Sequence, residues 1–181
     1  MANAERKGLN SYNMLVTFNP KHSEMSRTEL GEALSKIGEE QKFKQSKIEG
    51  VFTAKVSDSR KVVARLREMC IADPNMFAFT YHYVPIDEWC KSDLRTMKSR
   101  VKKNSDKISD SEKWKIDINR RAWKKLEGIE LIKKLTDVVN HGKISLVKPD
   151  KIIQVEILGE TCGISVLGSN EIFDVSKVKQ I

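Results

Sequence analysis

The first 86 residues change repeatedly between a two-residue and a helical hydrophobic period, and this order restricts the possible fold more than any other feature. Met14, Val16 and Phe18 alternate with polar or smaller residues, as in a half-buried strand. A helix is predicted to follow from Ser26, because Glu29 stands at capping-box spacing before an apolar stripe. The chain therefore begins with a strand and a helix.

The next 50 residues repeat this pattern with one additional strand. Two short strands are predicted at 43–48 and 51–56, joined by a tight turn. Val62 to Cys70 have helical spacing, and Phe77 to Tyr83 alternate as a fourth strand. We interpret the aromatic residues of this strand as core, although Phe77-Ala78-Phe79 also resembles an RNA-stacking motif. The order strand, helix, strand, strand, helix, strand predicts a ferredoxin-like βαββαβ domain over residues 1–86.

The excess positive charge of the chain lies almost entirely in one later stretch. Between Lys91 and Lys125 there are 13 Lys and Arg residues against 5 Asp and Glu residues, whereas the rest of the chain is balanced. A local basic field attracts a polyanion, such as a nucleic acid or an anionic membrane. A solvated Lys-rich helix is the alternative interpretation.

The second half predicts a helix, a polar break, a strand, a helix and a hairpin. In the first helix an apolar stripe runs beside a basic one, with Asp87 and Glu88 expected in its first turn. The apolar stripe is Cys90, Leu94, Met97 and Val101, and the basic stripe is Lys91, Arg95, Lys98 and Lys102. A strand at 114–118, a helix at 128–139 and a hairpin of strands 151–158 and 161–167 follow.

Three segments of this half resemble a THUMP domain: Trp114-Lys-Ile-Asp-Ile-Asn-Arg-Arg121, Pro149-Asp-Lys-Ile-Ile-Gln-Val-Glu-Ile-Leu158 and Gly163-Ile-Ser-Val-Leu167. We place this domain at residues 87–181, which makes the whole an α+β protein with an α/β THUMP domain after the ferredoxin-like one. The resemblance implies a tandem that docks the acceptor end of tRNA and its unpaired 3′ tail. It also implies that the modifying chemistry lies in another domain or subunit. Free-standing THUMP proteins resemble the accessory proteins of tRNA cytidine acetylation, which implies an RNA cytidine acetyltransferase as the partner.

The resemblance also indicates which residues bind RNA. The arginine at the end of the family's strand matches Arg120 or Arg121, and strand parity would turn Arg120 inward and Arg121 outward. Both are kept as candidates. The local basic charge adds the other candidates, so the full predicted set is Arg120, Arg121, Lys124, Lys125, Lys91, Arg95, Lys98, Lys102 and Lys103.

No catalytic constellation is recognisable. The chain has no glycine-rich phosphate loop, and His22, His82 and His141 lie far apart. A metal held by Asp87, Glu88 and Asp93 for nuclease chemistry is a weaker alternative to helix-dipole placement. The three cysteines stand among apolar residues and are interpreted as small buried hydrophobes. We therefore predict a binding protein that is not an enzyme and has no metal or other cofactor.

The predicted function is a cytoplasmic tRNA adaptor without membrane association. The chain lacks a long apolar run and an apolar leader. Docking for thiolation or methylation remains an alternative, as does an RNA-modifying enzyme of unrecognised type. The sequence assigns neither the tRNA species nor the modified base.

Overall fold

The computed structural model describes residues 8–181, which form a mixed α and β structure with two five-stranded sheets. The first part of the chain contains β1 (Met14–Phe18), α1 (Ser23–Lys36), β2 (Phe43–Gln45), β3 (Val51–Ala54), α2 (Ser59–Ala72) and β4 (Thr80–Pro85). The later part contains β5 (Glu88–Lys91), α3 (Leu94–Ser105), β6 (Lys113–Arg121), α4 (Gly128–Thr136), β7 (Lys143–Ile144), β8 (Lys151–Leu158), β9 (Thr161–Gly168), β10 (Phe173–Asp174) and α5 (Val175–Val178).

The chain divides into two compact units whose membership differs from the predicted 1–86 and 87–181. One unit consists of Ser11–Ile86 with Asn170–Ile181, and the other contains Asp87–Ser169 with residues 8–10. The C-terminal segment joins the first unit because β10 pairs antiparallel with β4 and brings Phe173 opposite Tyr83. Both rings are fully buried and stack with centroids 5.2 Å apart. The apolar side chains of this segment complete the core of the first unit.

The sheet of the first unit has the strand order β10-β4-β1-β3-β2, and every pairing in it is antiparallel. Its core contains Val16, Leu30, Phe52 and Leu66, among other apolar side chains, which come from strands and from both α1 and α2. The two-residue and helical periods of the sequence thus indicated the side chains that this core buries.

The fourth strand begins three residues later than predicted. Phe77 follows a short 3₁₀ helix and is buried, whereas Tyr81 is 42% exposed. The carboxylate of Glu29 causes this difference, since it accepts the backbone N–H groups of Ala78, Phe79 and Thr80 at 2.7 to 2.9 Å. Glu29 therefore holds a loop and does not form a capping box, and α1 begins at Ser23.

The sheet of the second unit has the order β5-β9-β8-β6-β7. β6 runs parallel to β7 and β8, whereas β9 pairs antiparallel with β5 and β8. One face of this sheet packs against α3 and α4, with Met97, Val101, Leu131, Leu135 and Ile153 in the core. The predicted strand, second helix and hairpin are present, although α4 ends at Thr136.

The prediction that Asp87 and Glu88 lie in the first turn of the basic helix is wrong. Glu88–Lys91 form β5, and α3 begins only at Leu94. Asp93 is the N-cap and accepts the backbone N–H and the hydroxyl of Thr96 at 2.9 and 2.7 Å. A four-residue strand directly before a helix has too few positions to separate the two periods.

Candidate nucleic-acid interface

One end of the second sheet brings together chain segments that are distant in sequence. Lys91, Thr161, Leu158 and Arg121 are successive cross-strand neighbours along the order β5-β9-β8-β6. The backbone N–H of Gly159 donates to the carbonyl of Arg121 at 2.8 Å. We call this region the basic sheet end. Its cations are five of the nine predicted RNA-binding residues, namely Lys91, Arg95, Arg121, Lys124 and Lys125.

The loop after β6 carries two lysines at the basic sheet end. Ala122 has a φ of 53°, so the chain turns sharply as it leaves the strand. Trp123 is buried at 6% exposure, and its Nε1 donates to the carbonyl of Ser92 at 2.8 Å. The next two residues, Lys124 and Lys125, are exposed. The tryptophan thus anchors the segment that carries both ammonium groups.

The exposed side chain of Arg120 donates a hydrogen bond to this loop. Its Nη1 donates to the carbonyl of Leu126 at 2.6 Å, and its Nη2 lies 3.1 Å from the position that a Cβ on Gly128 would take. The guanidinium of Arg120 thus lies close to Gly128 at the start of α4. Arg120 lies on the same face of β6 as Trp114 and Ile118, but its side chain is exposed at the end of the strand.

Arg121 lies on the opposite face and forms an ion pair with a buried carboxylate. Its Nη1 is 2.7 Å from Oε2 of Glu156, whose side chain is only 1% exposed, while the arginine side chain is 27% exposed. Oε1 of Glu156 accepts from Nδ2 of Asn119 at 2.8 Å and from Nε2 of Gln154 at 2.7 Å. We call these four side chains the Glu156 network. No local pattern in the sequence indicates this network, because Arg121 and Glu156 come from two parallel strands and are 35 residues apart.

The basic residues of α3 extend away from the basic sheet end. Arg95 lies in the first turn of the helix, next to Lys91 and the Asp93 cap. Lys102 is seven residues further on, about 10 Å along the helix axis at 1.5 Å per residue. Lys98 and Lys102 continue the row that Arg95 begins, and Lys102 and Lys103 lie toward the far end of the helix.

Acidic neighbours compensate several other cations in the same stretch of sequence. Arg100 pairs with Glu88 at 2.8 Å, and Lys107 pairs with Asp87 at 3.1 Å. Lys115 pairs with Asp117 at 3.0 Å on β6. Asp87 and Glu88 thus act as counter-ions, and the net positive field comes mainly from the predicted RNA-binding residues.

The environments of Asp93 and Cys162 shift their pKa values in directions that fit structural roles. The hydrogen bonds from Thr96 lower the pKa of Asp93, so the cap is ionised at neutral pH. The neighbouring Cys90 thiol and burial both raise the pKa of Cys162, so it stays a neutral thiol. All three cysteines are free and buried, which confirms the interpretation of them as small hydrophobes.

The histidines occupy separate positions, as expected from the sequence. His82 Nδ1 lies 3.0 Å from the Thr17 hydroxyl, and its Nε2 lies 3.4 Å from Asp174. His141 lies between Asp106 and Asp110, at 3.3 Å from each. Within residues 8–181, no three His, Cys, Asp or Glu side chains are arranged to hold a metal ion. Over the same residues, no helix has the length and apolarity needed to cross a membrane.

The basic sheet end lies in a THUMP domain. Residues 91–167 match the model of the THUMP domain family, so the chain contains this domain. The match begins at Lys91 and covers all of the basic sheet end. No curated protein shows significant sequence similarity to the chain.

Solved structures share the fold of nearly the whole chain at low sequence identity. PH1313 from Pyrococcus horikoshii Ot3 superposes with a TM-score of 0.65 at 12% identity, covering 90% of this chain and 55% of that protein. A 4-thiouridine synthetase, solved as an RNA complex with bound ATP, gives 0.53 at 12%, with 90% and 42% covered. A predicted N6-adenine-specific DNA methylase from Listeria monocytogenes gives 0.57 at 10%, with 88% and 41% covered. The chain thus spans about half the length of these proteins.

These likenesses correct the prediction that the chain is not an enzyme. The fold occurs in a synthetase and in a predicted methylase, so the fold itself is one that enzymes use. The lack of a familiar catalytic motif was therefore no ground for excluding enzymatic RNA modification. At 10 to 12% identity the likeness shows the fold alone and assigns no reaction to this chain.

Proposed function

We propose that this chain binds tRNA through the basic sheet end of its THUMP domain and docks the acceptor end with its unpaired 3′ tail for modification. The carrying observation is that Lys91 and Arg121 lie at the same end of the second sheet. The bond from Trp123 to Ser92 anchors the loop of Lys124 and Lys125 beside β5, and Arg95 lies in the first turn of α3, which follows β5. A cluster of cations on fixed backbone provides both charge and geometry for phosphate groups.

The first unit supports this proposal through its architecture. Its elements follow the order strand, helix, strand, strand, helix, strand, with β10 added beside β4. We propose that this is the ferredoxin-like partner of the THUMP domain that the sequence suggested. The 4-thiouridine synthetase solved with RNA shares the fold over 90% of the chain, which supports a tandem that works on RNA.

The test of tRNA docking compares two pairs of RNAs, each consisting of a full-length and a trimmed molecule. Binding of full-length tRNA is measured by fluorescence anisotropy, beside the same tRNA without its 3′ tail. A duplex and its version trimmed by an equal length serve as the control pair. Because side chains reach the bases of single-stranded RNA, trimming the tail should weaken tRNA binding far more than trimming the duplex. Equal losses would indicate nonspecific charge attraction and contradict the docking proposal.

The docked tRNA needs an enzyme that modifies it. We propose an RNA cytidine acetyltransferase as the enzyme that receives the tRNA, on the family resemblance of the THUMP segments. The purified acetyltransferase of the same organism should form N4-acetylcytidine on tRNA much faster when this chain is present. Two weak contacts joined through one scaffold bind more tightly than either alone. Equal rates with and without the chain, measured by nucleoside mass spectrometry, would exclude this partner.

Thiolation or methylation is a second candidate because a 4-thiouridine synthetase and a predicted methylase share the fold. The same mass measurement separates these reactions, since a thio group, a methyl group and an acetyl group differ in mass. A reaction containing only the chain, tRNA and the corresponding donors shows whether the chain itself supplies the activity.

A further inference from the structure

The second sheet contains a buried charge that folding alone does not require. Glu156 lies on β8 at 1% exposure, and both carboxylate oxygens are used by Asn119, Gln154 and Arg121. Burying a carboxylate costs several kcal/mol, and an apolar group of similar size is often as stable or more stable. Hydrogen bonds to a buried carboxylate instead fix the orientation of the side chains that donate them.

Two members of the network reach solvent, because Asn119 is exposed and Arg121 is partly exposed near the end of β6. Arg121 stands at the last position of β6, and its side chain is 27% exposed, while Glu156 holds its Nη1 at 2.7 Å. A guanidinium has five N–H donors in a planar fork, so a single bond to Glu156 sets the direction of the others. Lys124 and Lys125 are exposed three and four residues further along, on the loop anchored by Trp123.

We infer that Glu156 is a positioning residue, which fixes the guanidinium of Arg121 so that its remaining N–H groups bind an RNA phosphate at the basic sheet end. This inference rests on the proposed function. Asn119 on β6 and Gln154 on β8 both donate to the carboxylate of Glu156. That carboxylate in turn holds Arg121, which would contact the RNA. A fixed fork binds a phosphate with less loss of side-chain freedom than a mobile one.

Glu156→Gln should change the affinity for tRNA in the direction opposite to the one that net charge alone predicts. Glu156→Gln adds one net positive charge, so a diffuse field predicts tighter RNA binding. If Glu156 positions Arg121, the neutral amide no longer forms the ion pair and holds the guanidinium less firmly, so binding weakens. We expect the Kd for full-length tRNA to rise about fivefold to tenfold, the range typical of coupled contacts.

Asp117→Asn is the matched control. Asp117 lies on the same face of β6, is paired with Lys115, and loses the same charge when it is changed. We expect its Kd for tRNA to remain unchanged or to fall slightly. Arg121→Gln should weaken binding about as much as Glu156→Gln, and the double variant should be no weaker than either single one. Additive losses in this cycle would show that Glu156 acts without Arg121 and would overturn the inference.

A measurement on the unmodified protein covers the case in which Glu156→Gln does not fold. The side-chain NMR signals of Arg121, assigned with Arg121→Lys, should show restricted guanidinium rotation before RNA is added and should shift on addition of tRNA. Free rotation in the absence of RNA would overturn the inference. If the wild-type protein binds tRNA but Glu156→Gln binds equally well, this inference fails and the proposed function stands. If the wild-type protein does not bind tRNA, both fail.

Discussion

The loop lysines Lys124 and Lys125 should account for a defined part of the salt dependence of tRNA binding. The basic sheet end contains five cations, and contact with four phosphates of a single-stranded tail gives a log-log salt slope of about −2.8, at about −0.7 per phosphate. Raising the salt about fourfold, from roughly 50 to 200 mM, should then weaken binding by about 50-fold. Changing both lysines to alanine removes two of the four contacts and halves the slope to about −1.4, so the same salt step should weaken binding only about sevenfold.

The assay is fluorescence anisotropy of labelled tRNA over a series of salt concentrations. Lys102→Ala with Lys103→Ala is the control, because it removes the same charge from the distant end of α3. These two lysines act as a diffuse field, and we expect a clearly smaller change in slope. If the two double variants have the same slope, the position of the charges is unimportant and the basic sheet end is not the binding site. A wild-type slope near zero would refute the electrostatic argument itself.

Three further predictions concern the elements that support the site and the fold. Phe173→Ala should lower the free energy of unfolding by about 3–5 kcal/mol in urea titrations, since it leaves a cavity beside Tyr83; a loss below about 1 kcal/mol would mean that the C-terminal segment is not part of the core. Trp123→Phe keeps most of the packing but removes the bond to Ser92, so tRNA affinity should fall while the melting temperature changes little; unchanged affinity would contradict the anchoring of the lysine loop. Asp93→Ala should cost about 1 kcal/mol at neutral pH. Because the pKa of Asp93 is lowered in the folded state, that difference should persist above about pH 4 and disappear as the pH falls through the lowered pKa; a difference that is constant down to about pH 2 would contradict the charged cap.

Periodicity predicted the elements that have long, regular patterns. The strand from Trp114, the helix of Leu131 and Leu135 and the final hairpin are present where expected, because each buries one continuous face. The start of α3 was misplaced because β5 has only four residues. The alternation of residues 77–83 predicted a strand at Ala78, where the structure has a loop. The loop forms because the carboxylate of Glu29, 49 residues away, accepts the backbone N–H of Ala78, which no local pattern reveals.

The candidate site was only partly predictable for a related reason. Charge density identified Lys124, Lys125 and the basic row of α3, since charge can be counted along the chain. The partners of Arg120 and Arg121 depend on the turn at Ala122 and on the parallel register of β6 and β8. Register sets which side chains face each other, and no local pattern encodes it across 35 residues.

The return of the C-terminal segment to the first sheet has a consequence for how the protein is made. In chain order the THUMP-containing unit is an insertion, since residues on both sides of Asp87–Ser169 belong to the same core. The ribosome synthesises β10 after the whole inserted unit, so the first unit lacks the strand beside β4 and the ring of Phe173 until that unit has been made. The inserted unit has a continuous chain from β5 to β9 and can fold earlier, which reverses the usual N-terminal-first order of domain folding. A fragment that ends at Ile86 would leave Phe77 and Tyr83 without their aromatic neighbour, and an expression fragment of the first unit must therefore reconnect β4 to residues 170–181.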